Sequence, residues 1–174
     1  TKGETIREAG GLKRPARWDN TRSCWQSSQQ VSFEGKRRQC GICAACMLRR
    51  VSMHAAGVEE QASNYIWENL AASDFSSGAV LGFTLMTPAL EKYAIAGVMH
   101  MDHLAALSGS AIHRRSIDRL ARETAEALGI DRTEAERQLH DLLARHRAEW
   151  LSFVASLGPS SFVAKLTQVS PWPQ

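Results

Sequence analysis

Nowhere does this chain carry an apolar run long enough to cross a bilayer, and no charged-then-apolar leader opens it. These absences leave no membrane-spanning helix and no visible export signal, so the chain reads as soluble and cytoplasmic. A charge excess of one sign is also missing. The 21 Lys and Arg residues stand against 18 Asp and Glu, for a net charge of +3, too mild a balance to argue for nucleic acid by itself. Cysteine is absent from most of the chain: all four lie between positions 24 and 46. What remains is ordinary globular material. The chain has 174 residues, 44% of them hydrophobic, enough for one domain or two small ones. An initiating Met is also lacking. Thr1 and Glu4 instead fit a capping box, opening a short amphipathic helix with Ile6 and Ala9 inward and Gly10-Gly11 as its stop. A helix capped by residue 1 points to chain before it, so the sequence reads as the C-terminal part of something longer.

The crowded cysteines raise the main chemical question. Cys40, Cys43 and Cys46 follow one another at intervals of three in "CGICAACMLRR", and Cys24 lies sixteen positions upstream of the first. Disulfides are rare in a reducing compartment, so Cys-x-x-Cys spacing reads as metal ligands or a redox pair. Two thiolates two residues apart close on one ion when the turn between them is tight, and Gly41 relieves that turn sterically. Cys46 belongs on the first turn of a helix, and Cys24 adds a ligand from across a polar loop. Four thiolates with no open position describe a closed, tetrahedral zinc site that contributes to folding and does not activate water. Two other readings stay open. An iron–sulfur cluster uses four cysteines at a related spacing, although the Pro that often follows such runs is missing. A thioredoxin-like pair wants a strand before Cys40, where residues 35–39 read as a basic loop instead. Lys36, Arg37, Arg38, Arg49 and Arg50 flank the cysteines and would offset the charge of a four-thiolate centre. A nucleic-acid patch is the sharper alternative for them.

These residues resemble the C-terminal end of the 7-cyano-7-deazaguanine synthases, the QueC family. Members show Thr-x-Ser-Cys followed by an aromatic, then Cys-Gly-x-Cys-x-x-Cys-x-x-Arg, then an Ala-Gly. Here the matching positions are Thr21, Ser23, Cys24 and Trp25; Cys40, Gly41, Cys43, Cys46 and Arg49; and Ala56 with Gly57. The opening "TKGETIREAG" is similar to the family's Thr-Lys-x-Glu helix. The resemblance covers roughly residues 1–58. It implies a doubly wound α/β fold of the adenine-nucleotide-hydrolase type, a PP-loop ATP pyrophosphatase, with a small zinc-bearing C-terminal part. It implies a structural zinc on Cys24, Cys40, Cys43 and Cys46. It also implies an ATP-dependent carbon–nitrogen ligase that activates 7-carboxy-7-deazaguanine on the way to the nitrile preQ0 and queuosine.

Two departures shape that expectation. The family's phosphate-gripping Ser-Gly-Gly-x-Asp-Ser loop, whose backbone amides wrap a pyrophosphate, is absent from this sequence, and Gly10-Gly11 does not match it. The ATP-pyrophosphatase half is therefore expected before Thr1 or in another chain, and no catalytic or nucleotide-binding residue is assigned here. The second departure is length: more than a hundred residues follow the Ala-Gly. Extended QueC-like proteins occur in antiphage-defence clusters, which implies a defence-system protein partner, and family members often form homodimers. The competing expectation is a non-catalytic zinc-and-helix module that recognises a protein or RNA partner.

Residues 59–174 read as a helical extension, so the chain as a whole is expected to be mostly α. "VEEQASNYIWENLAA" places Val58, Ala62, Tyr65, Ile66 and Leu70 near one helical face, and "SDFSSG" is a loop. Thr87-Pro88 starts a helix running to Ser108-Gly109. The next segment repeats Ile112, Ile117, Leu120, Ala121, Ala125 and Leu128 at helical intervals and stops at Gly129. Asp131 to Glu134 restarts the chain as a capping box, and the last long helix runs to Gly158-Pro159. Ile112, Leu120, Leu139, Leu142 and Trp150 are expected to form one small core packed on the zinc-bearing part. His100, Asp102 and His103 invite a metal reading, and the two histidines, at i and i+3, share a helix face, but no third ligand is evident nearby, which favours packing or surface roles. The Pro-rich tail "VSPWPQ" is expected to be loose.

Overall fold

In the computed structural model, residues 1–11, 21–25 and 32–172 are described. The elements run α1 (Lys2–Gly10), β1 (Ser32–Phe33), β2 (Lys36–Arg37), α2 (Ala44–Ala56), α3 (Pro88–Leu107), α4 (Arg114–Leu128), α5 (Arg132–Leu157) and α6 (Phe162–Leu166). The chain is mostly helical, and no helix among the described residues is long and apolar enough to cross a membrane.

The helix starts follow from their caps. Thr1 accepts from the Glu4 N–H while the Glu4 side chain returns to the Thr1 backbone, the reciprocal pair expected of a capping box. Thr87 accepts from the Leu90 N–H with Pro88 at the first helical position. Asp131 accepts from the N–H groups of Thr133 and Glu134. Helices α4 and α5 end at Gly129 and Gly158.

One core runs through the molecule. Helix α2 lies at its centre, packed by α1, α3 and α5, and α6 closes the far side against α3 and α5. Cys40, Ile42, Cys46, Met47 and Val51 share this core with Ile66 and Trp67, with Val98 and Met101 of α3, and with Trp150 and Val154 of α5. Residues from before and after position 58 therefore bury one another.

Three expectations are corrected. Residues 58–72 do not form an α-helix. Their only helical turn is a 3₁₀ turn at Ala62–Asn64, and the chain then extends so that Tyr65 forms a parallel bridge with Gln39. Tyr65, Ile66 and Trp67 are all buried in succession, which a one-faced helix cannot achieve. Extended backbone allows it because both sides of the segment are covered. The second correction concerns the helical stripes. Trp150 is fully buried, but Ile112, Leu120 and Leu142 are exposed at 89%, 47% and 41%. Leu139 joins a separate small cluster formed by Ala121, Ala125 and Ala135. Helix α4 packs along α5, so a narrow line of Ile117, Ala121 and Ala125 suffices to seat it.

The third correction is the tail. Residues 167–172 are docked, with Trp172 against the core; Pro173 and Gln174 lie outside the described residues. The anchor is Asp102 on α3, buried at 4% exposure. Its carboxylate accepts from Trp150 Nε1 (2.9 Å), from the Gln168 N–H (2.9 Å) and from the Val169 N–H (3.3 Å). His100 and His103 point outward, and His103 meets the His113 ring edge-on at 5.2 Å. Asp102 thus ties three elements together.

Asp102→Ala would strand the buried Trp150 N–H and free the tail. A loss of about 2–4 kcal/mol in urea unfolding is expected, against less than about 0.5 kcal/mol for His100→Gln or His103→Gln. Equal effects at the three positions would contradict the anchor role.

Candidate metal centre

The centre is built from a hairpin, a knuckle and a helix start. Strands β1 and β2 pair antiparallel, Ser32 with Arg37 and Phe33 with Lys36, so part of the segment expected to be a basic loop is a short strand. Glu34 and Gly35 between them both have positive φ, at 49° and 72°, the arrangement of a two-residue hairpin turn that matches strand twist. The chain continues through Gln39, whose N–H donates to Asn64 O (2.8 Å) and whose carbonyl accepts from the Ile66 N–H (2.8 Å). One residue on, the Cys40 carbonyl accepts from the Trp67 N–H at 3.1 Å. The segment wrongly expected to be helical is therefore the wall that holds Cys40 in place.

After Cys40 the chain turns sharply. Gly41 has φ +86°, and a Cβ there would lie 3.0 Å from the Trp67 carbonyl oxygen and 3.1 Å from Tyr65 Cβ. Both the conformation and the space require glycine. The turn brings the Cys43 N–H to 3.4 Å from Cys40 Sγ. Cys43 is then the N-cap of α2, and Cys46 sits one turn in, where the unpaired N–H groups and the positive end of the helix dipole favour thiolates. Helix α3 presses on this knuckle from outside. A Cβ on Gly97 would lie 2.3 Å from Ile42 O, 3.1 Å from the Cys43 carbonyl carbon and 3.2 Å from the Ala44 nitrogen.

Cys24 arrives on the segment 21–25, which is sewn to the hairpin. Ser23 N–H donates to Gln39 Oε1 (2.7 Å), and Arg22 Nη1 donates to the Arg37 carbonyl (3.1 Å). Arg49 Nη1 donates to Thr21 Oγ1 at 2.6 Å. The polar loop between Cys24 and the hairpin, residues 26–31, lies outside the described residues.

The four sulfurs lie within 4.8 Å of one another. Cys24 Sγ is 3.5 Å and Cys46 Sγ is 3.8 Å from Cys40 Sγ. All four thiols are free; Cys40, Cys43 and Cys46 are buried and Cys24 is partly so. They are positioned to bind a metal ion. Their protonation is mutually dependent. Hydrogen bonds from Cys24, then Cys40 and Cys46, hold Cys43 far below the ordinary thiol range. Cys24 is held down to about 6, chiefly by its hydrogen bond with Cys40. Cys40 and Cys46 are pushed up, chiefly because each shares a proton with Cys24. The cluster alone therefore tolerates some thiolates and resists four.

The basic residues divide into distinct roles. Arg49 pairs with Glu60 (2.6 Å), which also accepts from the Tyr65 hydroxyl (2.7 Å). Arg38 pairs with Glu68, and its guanidinium stands 5.2 Å from the Phe33 ring centre. Arg50 has no carboxylate partner among the described residues. It donates to the Trp67 carbonyl (2.6 Å) and lies 3.9 Å over the Tyr65 ring. Burial lowers the Arg50 pKa, opposed by its neighbours Tyr65, Cys46 and Glu60. Sequence reasoning missed Gly97, Glu60 and Tyr65. The run Tyr65-Ile66-Trp67, short, apolar and rich in β-formers, was the signal for an extended wall.

Comparison with known protein families, with curated proteins and with solved structures finds no match for this chain.

Gly97→Ala should cost at least about 3 kcal/mol, because its new methyl meets backbone that cannot rotate away. Gly10→Ala, with nothing within 4 Å of its Cβ, should stabilise α1 by up to about 1 kcal/mol. Thermal unfolding of the two variants separates a contact effect from a general glycine effect.

Proposed function

We propose that Cys24, Cys40, Cys43 and Cys46 hold one structural zinc ion, and that the chain is the zinc-bearing C-terminal part of a QueC-like, ATP-dependent deazaguanine-modifying enzyme. The observation that carries the metal reading is the sulfur spacing. Four sulfurs placed tetrahedrally at about 2.3 Å from an ion lie about 3.8 Å apart; here Cys40 Sγ lies 3.5 Å from Cys24 Sγ and 3.8 Å from Cys46 Sγ, with all pairs inside 4.8 Å. An all-thiolate set leaves no position for water or substrate, so the ion supplies folding free energy and no chemistry. It would join three segments: residues 21–25, the knuckle, and the start of α2.

Support for the QueC-like reading comes from how the residues of the two motifs meet. Thr21 and Arg49, the outer members of the Thr-x-Ser-Cys and Cys-x-x-Arg signatures, hydrogen-bond each other at 2.6 Å. The motifs thus interlock through polar groups as well as through sulfur. On this reading the ATP-binding glycine loop, absent from this sequence, belongs to a preceding half or to another chain, and that half is the first partner. A second copy and a defence-system protein are further proposed partners, in a cytoplasmic setting where thiols stay reduced.

A second reading, a non-catalytic module that docks a protein, is favoured by one observation. Leu120, Leu128 and Leu142 of the α4–α5 pair and Ile112 just before α4 are exposed large apolar residues, which a docked protein could cover.

Purified protein should contain about one zinc per chain, and a brown, iron-bearing sample would replace zinc with a cluster. Cys43→Ser should lose the metal and much of the stability; a variant that melts like the parent would show that the site is not structural. Because the ligands are thiolates, acidification should release the metal and higher pH should retain it. Supplied with ATP and 7-carboxy-7-deazaguanine, residues 1–174 alone should release no AMP or pyrophosphate. The same substrates should be turned over by the assembly that includes the glycine-loop half. Failure of that assembly to act on the deazaguanine would favour the docking module.

A further inference from the structure

The basic residues before Cys40 do not all serve the metal centre. Lys36 and Arg37 extend from β2, are exposed, and have no carboxylate partner among the described residues. Arg22 joins them, because its guanidinium donates to the Arg37 carbonyl. Arg38 completes a set of four cations around one cleft of about 220 Å³. By volume the cleft has room for about seven waters at about 30 Å³ each.

Two features separate this cleft from an ordinary solvated charge run. No carboxylate of the described residues lines it, although Glu34 sits at the tip of the same hairpin and Glu68 pairs with Arg38 on another side. The opposite wall is neutral and hydrogen-bonding, formed by Gln61, Ser63 and Asn64. The cleft is also rigidly backed. Its floor is the Gln39–Asn64–Ile66 backbone ladder, with both hydrogen bonds at 2.8 Å. Arg38, with a side chain 8% exposed, leaves its Nε without a hydrogen-bond acceptor. Arg38 Nε and Arg50 Nε are the two such buried side-chain atoms among the described residues, and Arg38 lines this cleft.

We propose that this cleft binds a phosphate ester. Arg22, Lys36 and Arg37, which have no carboxylate partner among the described residues, stand beside amide and hydroxyl groups and match an anion with several acceptor oxygens. Three positive charges without carboxylate partners among the described residues, around a small concavity, also focus potential on it. The bound group is either a free nucleotide-like monoester or one phosphate of a single-stranded nucleic acid; the chemistry recognised is the same. The inference rests on the hairpin and the cleft and is independent of the deazaguanine assignment.

Calorimetric titration of the full zinc-loaded chain with AMP, and with a short single-stranded oligouridylate, tests it. Binding of at least one probe is expected. The double variant Lys36→Gln/Arg37→Gln should weaken it by about tenfold or more, equivalent to about 1.4 kcal/mol. Arg114→Gln/Arg115→Gln, which removes an equal, exposed charge pair on α4, should weaken it less than about twofold, since screening confines the effect to nearby charges. Similar affinities for the two probes identify a free ester as the ligand. Much tighter oligonucleotide binding, with a steeper salt dependence, identifies a nucleic-acid backbone. If neither probe binds, or if the two charge pairs matter equally, the cleft is not a site. Melting temperature and zinc content are read in parallel. Should the hairpin variant be unstable, the exposed Gln61→Ala decides: weaker binding supports the cleft and unchanged binding rejects it.

Discussion

Four sulfurs within 4.8 Å of one another cannot all carry negative charge without a cation between them. This constraint governs the rest of the molecule. Without an ion the protons divide unevenly, with Cys43 and Cys24 held towards thiolate and Cys40 and Cys46 towards thiol. With a divalent ion the four charges become attractive to a common centre, and metal binding becomes folding free energy. The surrounding groups suit that outcome. The α2 N-terminus, the Cys43 N–H and the Arg50 guanidinium all favour anionic sulfur, while Arg49 and Arg38 are committed to Glu60 and Glu68. Such charge support is additive in direction, yet none of it replaces an ion at the centre.

The centre is also a packing element. Cys40, Cys43 and Cys46 belong to the same core as Trp67, Val98 and Trp150, so a shift in the knuckle is felt by α3 and α5. The route is short: Gly97 lets the α3 backbone rest directly on the Ile42 and Cys43 backbone. From α3 the connection continues through Asp102 to Trp150 on α5 and to residues 168 and 169. Close-packed interiors transmit such displacements because they hold little free volume.

Sequence patterns identified the parts whose determinants are local. The caps at Thr1, Thr87 and Asp131 and the stops at Gly129 and Gly158 lie where their side chains or their glycines direct. The four cysteines were legible for the same reason: their spacing encodes a turn and a helix start. What was not legible depends on non-local partners. Tyr65, Ile66 and Trp67 can be placed on a helical wheel with Ala62 and Leu70, and the wheel is overruled only because Gln39 and Cys40 offer backbone pairing and α3 covers the far side. Ile112, Leu120 and Leu142 have helical periodicity, but periodicity does not say how many neighbours a helix will have. Asp102 looked like a candidate ligand beside two histidines, and its true partners lie 48 to 67 residues away in sequence.

The hairpin shows how one short segment serves two purposes without conflict. The Gln39 backbone exchanges hydrogen bonds with Asn64 and Ile66, while the cationic side chains of Lys36 and Arg37 just before it are exposed. Phe33 and Arg38 stack on the side of the core, and Lys36 and Arg37 remain in solvent. Charge that lay on the metal would be neutralised by thiolate. Charge on Lys36 and Arg37, facing the same cleft as Gln61, Ser63 and Asn64, would stay available to the anion proposed for it. On the proposed reading a metal on the four sulfurs would fix Cys40, and through the Gln39–Asn64–Ile66 backbone it would also fix the floor of that cleft, a surface the sulfurs never touch.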